Sequence, residues 1–185
     1  MSTVQALEKL VTGEELYQMP RLGRCELVEG RIVRMSPTGN RHGSVEFNIA
    51  HALGRYAEAH GGWKVRVGEV GVFTKRQPDT VRGADVLLMS DVRHSELTTP
   101  GFLTVAPELV VEVLSPDDRW GDVMRKVKEY LDAGVTVVWI ADPDSRSVFA
   151  YRSLTDSKVF HTGDIVTDED LLPGLSLPVA DVFRD

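Results

Sequence analysis

A run of apolar residues at positions 109–114 contains one charged side chain, the carboxylate of Glu112. Continuous apolar runs of this length are typical of strands that are covered on both faces of a sheet. An ionised carboxylate in such a strand loses its hydration, so it needs a cation or hydrogen-bond donors beside it. The chain must therefore fold around a covered sheet that brings a partner to Glu112. That partner is either an internal arginine with a structural role or part of a functional site.

Apolar patterns elsewhere in the chain predict more strands and two long helices. Helical spacing indicates one helix from about His42 to His60 and another from the Ser115–Asp118 segment to Gly134. A capping box that begins at Thr12 predicts a short helix over Glu14–Met19. Further strands are predicted over residues 25–29, 31–36, 63–67, 70–73, 84–89, 135–141 and 148–151. The predicted fold class is α/β (α+β), with a central mixed β-sheet flanked by two long helices and an N-terminal β-hairpin.

Length and composition are those of a single globular domain. With 185 residues, 42% hydrophobic and 26% charged, the chain can bury one core without disulfides or a structural metal. We expect one domain over residues 1–185, with an N-terminal helical segment at 1–20 and a C-terminal tail at 163–185. The single cysteine, Cys25, excludes an internal disulfide, and the apolar runs are too short for a membrane span or a signal-peptide core. These features predict a cytoplasmic protein that does not associate with membranes.

A second carboxylate, Asp85, lies near the start of the apolar run at 84–89. If that run lies beside the strand of Glu112, the two carboxylates converge at one edge of the sheet. Two hard oxygen donors suit Mg²⁺ or Mn²⁺ better than Zn²⁺. Lys126 and Lys128 follow on the second long helix, and each lies about 100° from the centre of its apolar stripe. Helical spacing alone therefore allows either lysine to reach this candidate metal site.

The order of these residues resembles the PD-(D/E)xK nuclease superfamily, and more specifically the Uma-type endonuclease family. The matching segments are Glu26–Gly30 with Arg31–Pro37, His42, Asp85, Ala106–Pro116, Lys126 with Tyr130, Gly134 with Val135, and Trp139–Pro143. Each motif is short, and the ordered set, which covers nearly the whole chain, carries the resemblance. The superfamily core consists of a helix, a three-stranded meander, a second helix and a strand. The resemblance thus implies a restriction-endonuclease-like fold.

The resemblance also implies a catalytic set. Asp85 and Glu112 would hold Mg²⁺ or Mn²⁺ together with the main-chain carbonyl of Val113. In the wider superfamily the lysine stands two residues after the acid, where this chain has Leu114. The Uma-type pattern instead places it in a Lys-x-x-x-Tyr motif on the following helix, which selects Lys126 of the two helix lysines. The implied catalytic residues are Asp85, Glu112 and Lys126.

Three more residues match the family pattern and are expected as accessory residues near the site: Glu26, His42 and Tyr130. Structural alternatives stay open for two of them. Glu26 has the spacing of a carboxylate on a strand surface. His42 stands at the start of a helix, where a local hydrogen bond could account for it.

Arginines are concentrated in the N-terminal hairpin region, where they outnumber the acidic residues. We take Arg31, Arg34 and Arg41 as candidate contacts to nucleic-acid phosphates. The alternative is a solvated hairpin edged with arginines. The net charge of -7 and the sequence pI of about 5.3 differ from the basic character that strong duplex binding usually requires.

The leading hypothesis is a metal-dependent nuclease that hydrolyses phosphodiester bonds, with DNA as the expected partner and a metal-activated water as nucleophile. The sequence contains no Gly-x-Ser-x-Gly elbow and no glycine-rich phosphate loop. One alternative is a non-catalytic nucleic-acid-binding or protein-binding module that retains the nuclease fold. Another is a metal-dependent enzyme that acts on a smaller phosphodiester. A second copy of the chain, forming a homodimer, is a further candidate partner.

Overall fold

A mixed β-sheet forms the centre of the fold, in a computed structural model that describes residues 9–19, 22–98 and 100–184. Its strands are β1 (Cys25–Val28), β2 (Arg31–Arg34), β3 (Trp63–Lys75), β4 (Thr80–Ser90), β5 (Leu109–Val113), β6 (Val137–Asp142), β7 (Ser147–Tyr151) and β8 (Ser157–Phe160). Hydrogen-bonded neighbours follow the order β2-β1-β4-β5-β6-β7-β8, and β3 also pairs with β4. The β5–β6 pair is parallel, while the other pairs of this sheet are antiparallel.

Two long helices cover the two faces of this sheet. The helices are α1 (Gly13–Tyr17), α2 (Asn40–His60), α3 (Asp91–Ser95), α4 (Trp120–Asp132) and α5 (Val179–Val182). Ile49 and Leu53 of α2 are fully buried in the core on one face, and Val127 and Tyr130 of α4 are fully buried in the core on the other. Burying each such side chain contributes about 1.5–3 kcal/mol, which fixes both helices on the sheet. The predicted mixed sheet with two flanking helices and an N-terminal hairpin is confirmed.

The N-terminal part of the chain contains the predicted capping box. The Thr12 side chain accepts from the N–H of Glu15, and the Glu15 carboxylate accepts from the N–H of Thr12. These two bonds satisfy amide groups that the first turn of α1 leaves free. Of the expected helical segment at 1–20, residues 1–8 and 20 lie outside the described part of the chain.

The strands predicted at 63–67 and 70–73 are one strand, β3, with a bulge. Val67 pairs with Val86 and Val70 pairs with Ala84, so β3 has one extra residue between these pairs. Gly68 in this bulge has a φ of 86°, a conformation that glycine adopts without steric cost. The glycine breaks the alternating pattern but does not end the strand.

The helix predicted to begin at Ser115–Asp118 begins later, at Trp120. The Ser115 N–H donates to the Asp118 carboxylate at 2.7 Å, which holds the preceding residues in a turn. Asp118 therefore acts as a turn residue rather than as a helix cap.

The segment expected as a tail, residues 163–185, is part of the core. It forms β9 (Ile165–Asp168), β10 (Leu172–Pro178) and α5. Its apolar side chains pack in the core cluster of α2: Val166, Leu172, Leu175, Leu177, Val179, Val182 and Phe183. Asn48 of α2 donates to the carbonyls of Val182 and Arg184. The expectation of a tail is corrected because this segment covers the α2 side of the sheet, although residue 185 lies outside the described part.

The strand β4 has two partners along the same edge, and they leave a gap between them. β3 pairs with β4 from one end to the other. On the opposite edge, β1 pairs with β4 at Val81 and β5 pairs with it at residues 86–88. Residues 82–85 therefore border the space where the end of β5 approaches the start of β1.

In the described part of the chain, no helix is both long enough and apolar enough to cross a membrane.

Candidate active site

Asp85 and Glu112 lie just beyond the last pair of the β4–β5 ladder. Val86 pairs with Val111, so Asp85 and Glu112 are the next residues towards the gap. Asp85 is buried, and its Oδ2 accepts a hydrogen bond of 2.8 Å from the main-chain N–H of Val113. Both carboxyl groups and Val113 line one cleft of about 460 Å³. The structure thus brings the two predicted carboxylates into one cleft at the end of the ladder.

Two donors from α4 bind the carboxylate of Glu112. The Tyr130 hydroxyl donates to Oε1 at 2.7 Å, and the Lys126 ammonium donates to Oε2 at 2.9 Å. Burial raises the pKa of Glu112 to about 7, with smaller contributions from the neighbouring negative charges of Asp85 and Glu26, although Lys126 acts in the opposite direction. Glu112 therefore changes its ionisation near neutral pH and responds to any further positive charge in the cleft.

Lys126 is held between two carboxylates. Its ammonium lies 2.9 Å from Glu112 Oε2 and 2.9 Å from Glu26 Oε1. Burial opposes the charge of this ammonium, but the two carboxylates outweigh burial and hold its pKa above the ordinary value. Lys126 is therefore a permanent cation at the centre of the site.

Among the contacts that the structure describes, Lys126 contacts Glu112 and Lys128 does not. Lys128 forms an ion pair with Asp132, one turn along the exposed side of the helix. Lys126 and Tyr130 are four residues apart, so they lie on the same side of α4 and both reach Glu112.

Glu26 is buried beside the Lys126 ammonium and is not exposed on a strand surface. Its Oε2 accepts from the Arg82 guanidinium at 2.7 Å, and its Oε1 accepts from the Gly83 N–H at 3.2 Å. Arg82 in turn binds Glu129 of α4 through two hydrogen bonds, of 2.6 and 3.1 Å. Burial alone would raise the pKa of Glu26, but Lys126 and Arg82 lower it below the ordinary value. Acidic and basic side chains thus alternate in the order Glu129, Arg82, Glu26, Lys126 and Glu112. These contacts fix the position of Lys126.

His42 approaches Asp85 from the α2 side of the sheet. Its Nε2 lies 3.3 Å from Asp85 Oδ2, and its Nδ1 lies 3.9 Å from Oε2 of Glu46, one turn further along α2. Burial lowers the pKa of His42, but the contacts with Asp85 and Glu46 outweigh it and leave that pKa raised. The other Glu46 oxygen accepts from the Gly68 N–H in the β3 bulge at 3.3 Å.

Arg24 also lines the cleft and lies beside Asp85. Its guanidinium forms an ion pair with Glu69, lies 3.6 Å from Asp85 Oδ1 and donates to the Ser36 carbonyl at 3.1 Å. No sequence pattern predicted a site role for Arg24, Glu46, Glu69 or Arg82. Of these four, only Arg82 carried a signal, because it is a charged residue next to an apolar strand run.

The three candidate phosphate contacts lie at different places. Arg34 lines the cleft, and its guanidinium donates to the Leu22 carbonyl at 3.4 Å. Arg31 is at the other end of β2. Arg41, at the start of α2, forms an exposed ion pair of 2.8 Å with Asp144. The structure places only Arg34 of the three at the cleft that contains Asp85 and Glu112.

A family model described as "Putative restriction endonuclease" matches residues 13–180, which extend from α1 to α5 and include every residue of the cleft named above. The chain belongs to the Uma2 family. Recognition of this family from the ordered motifs is confirmed, and the Uma2 family is one of restriction-endonuclease-like nucleases.

A solved structure supports the fold of this Uma2 member. It is described as "a putative nuclease belonging to DUF820 from Anabaena variabilis ATCC 29413". The two chains superpose with a TM-score of 0.78 over 94% of this chain and 97% of the other, at 23% sequence identity. No curated protein is significantly similar to the chain in sequence.

The raised pKa of Glu112 predicts a pH dependence of stability for the metal-free Uma2 protein. In the unfolded chain this carboxyl ionises near 4.5, whereas in the folded protein it keeps its proton to about pH 7. The folded state therefore binds more protons across that window, and the contribution of Glu112 to stability falls as the pH rises through it.

Replacement of Glu112 by Gln isolates this contribution. We expect the free energy of unfolding of Glu112→Gln to fall less between pH 4.5 and pH 7 than that of the wild type, by on the order of 3 kcal/mol. Urea unfolding at several pH values in the presence of chelator measures the difference. Parallel pH profiles for the two proteins would contradict the assignment.

Proposed function

We propose that this protein is a metal-dependent nuclease that hydrolyses phosphodiester bonds of DNA by means of an activated water. The observation that carries the proposal is the single cleft in which Asp85 and Glu112 lie with the Lys126 ammonium. Two carboxylates can hold a divalent cation, and a fixed ammonium beside them can stabilise negative charge on a phosphoryl group. Membership of a family of restriction-endonuclease-like nucleases supports the same function.

The oxygen donors of the cleft fit Mg²⁺ or Mn²⁺. Each carboxylate oxygen has two lone pairs, so Asp85 and Glu112 retain acceptor capacity beyond their bonds to Val113, Lys126 and Tyr130. Both cations prefer such hard oxygen ligands. We propose that Asp85, Glu112 and the main-chain carbonyl of Val113 hold the cation. When bound, it would lower the pKa of a water molecule and neutralise charge on the phosphate.

Lys126 contributes a fixed positive charge and hydrogen-bond donors. Because two carboxylates stabilise its ammonium, Lys126 does not accept a proton from the attacking water. Its N–H groups can orient that water or stabilise the phosphoryl oxygens as negative charge develops on them. Glu26 and Arg82 are positioning residues, since they act on the substrate only through Lys126.

Contacts with the DNA backbone would come from the arginines at the cleft. Arg34 lines the cleft and Arg24 lies within 3.6 Å of Asp85, so both side chains are close to where a scissile phosphate would bind. Each phosphate contact releases counterions from DNA, which makes the affinity depend on salt. An acidic protein with few such contacts should therefore bind DNA weakly at physiological salt.

The salt dependence of DNA binding tests the role of Arg34. Arg34→Ala is expected to reduce the slope of log affinity against log salt concentration by about one unit. Lys158→Ala is the matched control, because Lys158 is exposed on β8, at the opposite edge of the sheet from β2. Fluorescence anisotropy with a labelled duplex measures both slopes. An unchanged slope in Arg34→Ala would place the phosphate contacts elsewhere.

Cleavage assays test the proposed function directly. Purified protein is titrated with Mg²⁺ and Mn²⁺ in the presence of plasmid, single-stranded DNA, RNA and a small phosphodiester. The proposal predicts metal-dependent cleavage of plasmid that chelator abolishes. Cleavage of the small diester alone would instead show an enzyme of smaller substrates, and binding without cleavage of any substrate would show a non-catalytic module.

A further inference from the structure

A second pocket lies between the N-terminal hairpin and α4, next to the cleft. Its volume is about 380 Å³, within the range of about 300–1,000 Å³ that is usual for small-ligand pockets. Glu26, Glu112 and Lys126 line both the pocket and the cleft. The two spaces therefore adjoin at the charged side chains of the candidate active site.

The hairpin turns an apolar face towards this pocket. Glu26 pairs with Val33 in the β1–β2 ladder, and directly opposed residues point to the same face of a sheet. Since Glu26 reaches Lys126, this face of the hairpin is the one directed at α4. Val28 and Met35 each lie two residues from one member of that pair, so they belong to the same face, and both line the pocket.

The two faces of the hairpin differ in their packing. Leu27 and Ile32, on the other face, pack in the core cluster that includes α1. Val28, Val33 and Met35, by contrast, belong to no core cluster of the described residues. Val33 remains 42% exposed. The core leaves this apolar wall uncovered, and contact with an apolar surface would remove the wall from water.

Polar groups of α4 and the preceding turn accompany the apolar lining. Val123 of α4 is buried and lines the pocket, as do Asp122 and Arg125. The latter two form an exposed ion pair of 2.9 Å, so their charges offset each other. Asp118 accepts from the Ser115 N–H through one oxygen and keeps the other as a free acceptor. Such a lining suits a flat, uncharged ring with hydrogen-bonding edges.

A nucleobase fits both the size and the position of this pocket. A docked protein typically buries about 800 Å² on each side, a far wider surface than three side chains of one hairpin provide. Enzymes that act on an unstacked nucleotide hold its base between aromatic or apolar side chains. The base and the phosphate of one nucleotide are covalently joined. A phosphate in the cleft therefore brings its base close to the walls that the two spaces share.

We infer that this pocket binds the base of a nucleotide whose phosphate lies in the cleft, with Val33 and Met35 in contact with the base. The inference rests on the proposed function for the position of that phosphate. A paired base must leave its stack before it enters such a pocket, whereas an unpaired base enters without that cost. The substrate class is therefore nucleic acid with an unpaired or easily unstacked base beside the phosphate that is cleaved.

Two single-stranded oligomers of equal length test this inference on the full chain. One is an oligothymidylate, in which every base is the same, and the other is an abasic oligomer with the same phosphates. Fluorescence anisotropy measures both affinities, once with chelator and once with Ca²⁺, a cation that also binds carboxylate oxygens. The wild type is expected to bind the oligothymidylate about tenfold more tightly, because a base in the pocket buries apolar surface.

Substitutions in the hairpin separate the base from the phosphates. Val33→Asn and Met35→Gln make the wall polar without a change of charge, so each should reduce the preference for oligothymidylate to about threefold or less. The affinity for the abasic oligomer should stay the same. Val159→Asn is the matched control, because Val159 is 43% exposed on β8 at the opposite edge of the sheet. Circular dichroism checks that each variant is folded, and either hairpin variant suffices for the test.

The outcomes separate this inference from the proposed function. Equal affinity of the wild type for the two oligomers under both conditions, or no binding of either, would overturn the pocket. An undiminished preference in both hairpin variants, or an equal loss in Val159→Asn, would overturn it too. Plasmid cleavage without any preference for bases would leave the nuclease function standing alone. If the preference follows Val33 and Met35 but no nucleic acid is cleaved, the pocket stands and the proposed nuclease function fails.

Discussion

Asp85→Asn is expected to lower the rate of metal-dependent plasmid cleavage by about 10³-fold or more. The amide oxygen of Asn can still accept from the Val113 N–H, so the end of the β4–β5 ladder should keep its structure. The negative charge that would hold a divalent cation is lost, however. A Lewis acid contributes several kcal/mol at the transition state, and about 4 kcal/mol corresponds to this loss of rate. Initial rates at increasing Mg²⁺ or Mn²⁺ measure the effect.

Asp91→Asn is the control for this prediction. Asp91 follows the other end of β4 and forms an exposed ion pair of 2.7 Å with Lys64, away from the cleft. The substitution removes the same charge but should leave the cleavage rate within about twofold, since exposed pairs contribute little. A rate of Asp85→Asn equal to that of the wild type at the same metal concentration would contradict the proposed metal site.

Local patterns were sufficient to predict most of the fold. The apolar stripes of α2 and α4 and the continuous run of β5 identify a covered sheet between two helices without knowledge of tertiary contacts. The C-terminal hairpin escaped prediction because Pro173 and Gly174 interrupt the apolar pattern of β10. What stabilises that hairpin is burial against α2, a long-range contact that no local pattern encodes.

The acidic pair of the site was also predictable, because a carboxylate in an apolar strand needs a partner. The identity of that partner was not. An internal arginine, the structural alternative for Glu112, exists as Arg82, but Arg82 binds Glu26 and Glu129. Helical spacing could not separate the two lysines of α4 either, since each flanks the apolar stripe. The two lysines differ because of tertiary structure, which places the carboxylates of Glu26 and Glu112 beside Lys126 and leaves Lys128 exposed to solvent.

Lys126→Met is expected to lower the cleavage rate by ~10²-fold or more, while Mg²⁺ or Mn²⁺ still raises the thermal stability. Met retains much of the length of the lysine side chain and removes its charge. The variant loses the ammonium that would stabilise a phosphoryl oxygen or orient water, an effect felt mainly in the transition state. Asp85 and Glu112 remain, so the proposed metal ligands are intact. Single-turnover cleavage rates and melting temperatures, each measured with and without metal, separate the two effects.

Two other substitutions show whether the position of the charge matters. Lys126→Arg should also be slow, because the space between Glu26 and Glu112 is filled by a compact ammonium, and a planar guanidinium directs its donors differently. Lys128→Met should cleave at the wild-type rate, since Lys128 contacts only exposed Asp132 among the contacts that the structure describes. A large loss in Lys128→Met with none in Lys126→Met would mean that α4 presents a different face to the substrate. Full activity in both Met variants would mean that neither lysine of α4 stabilises the transition state.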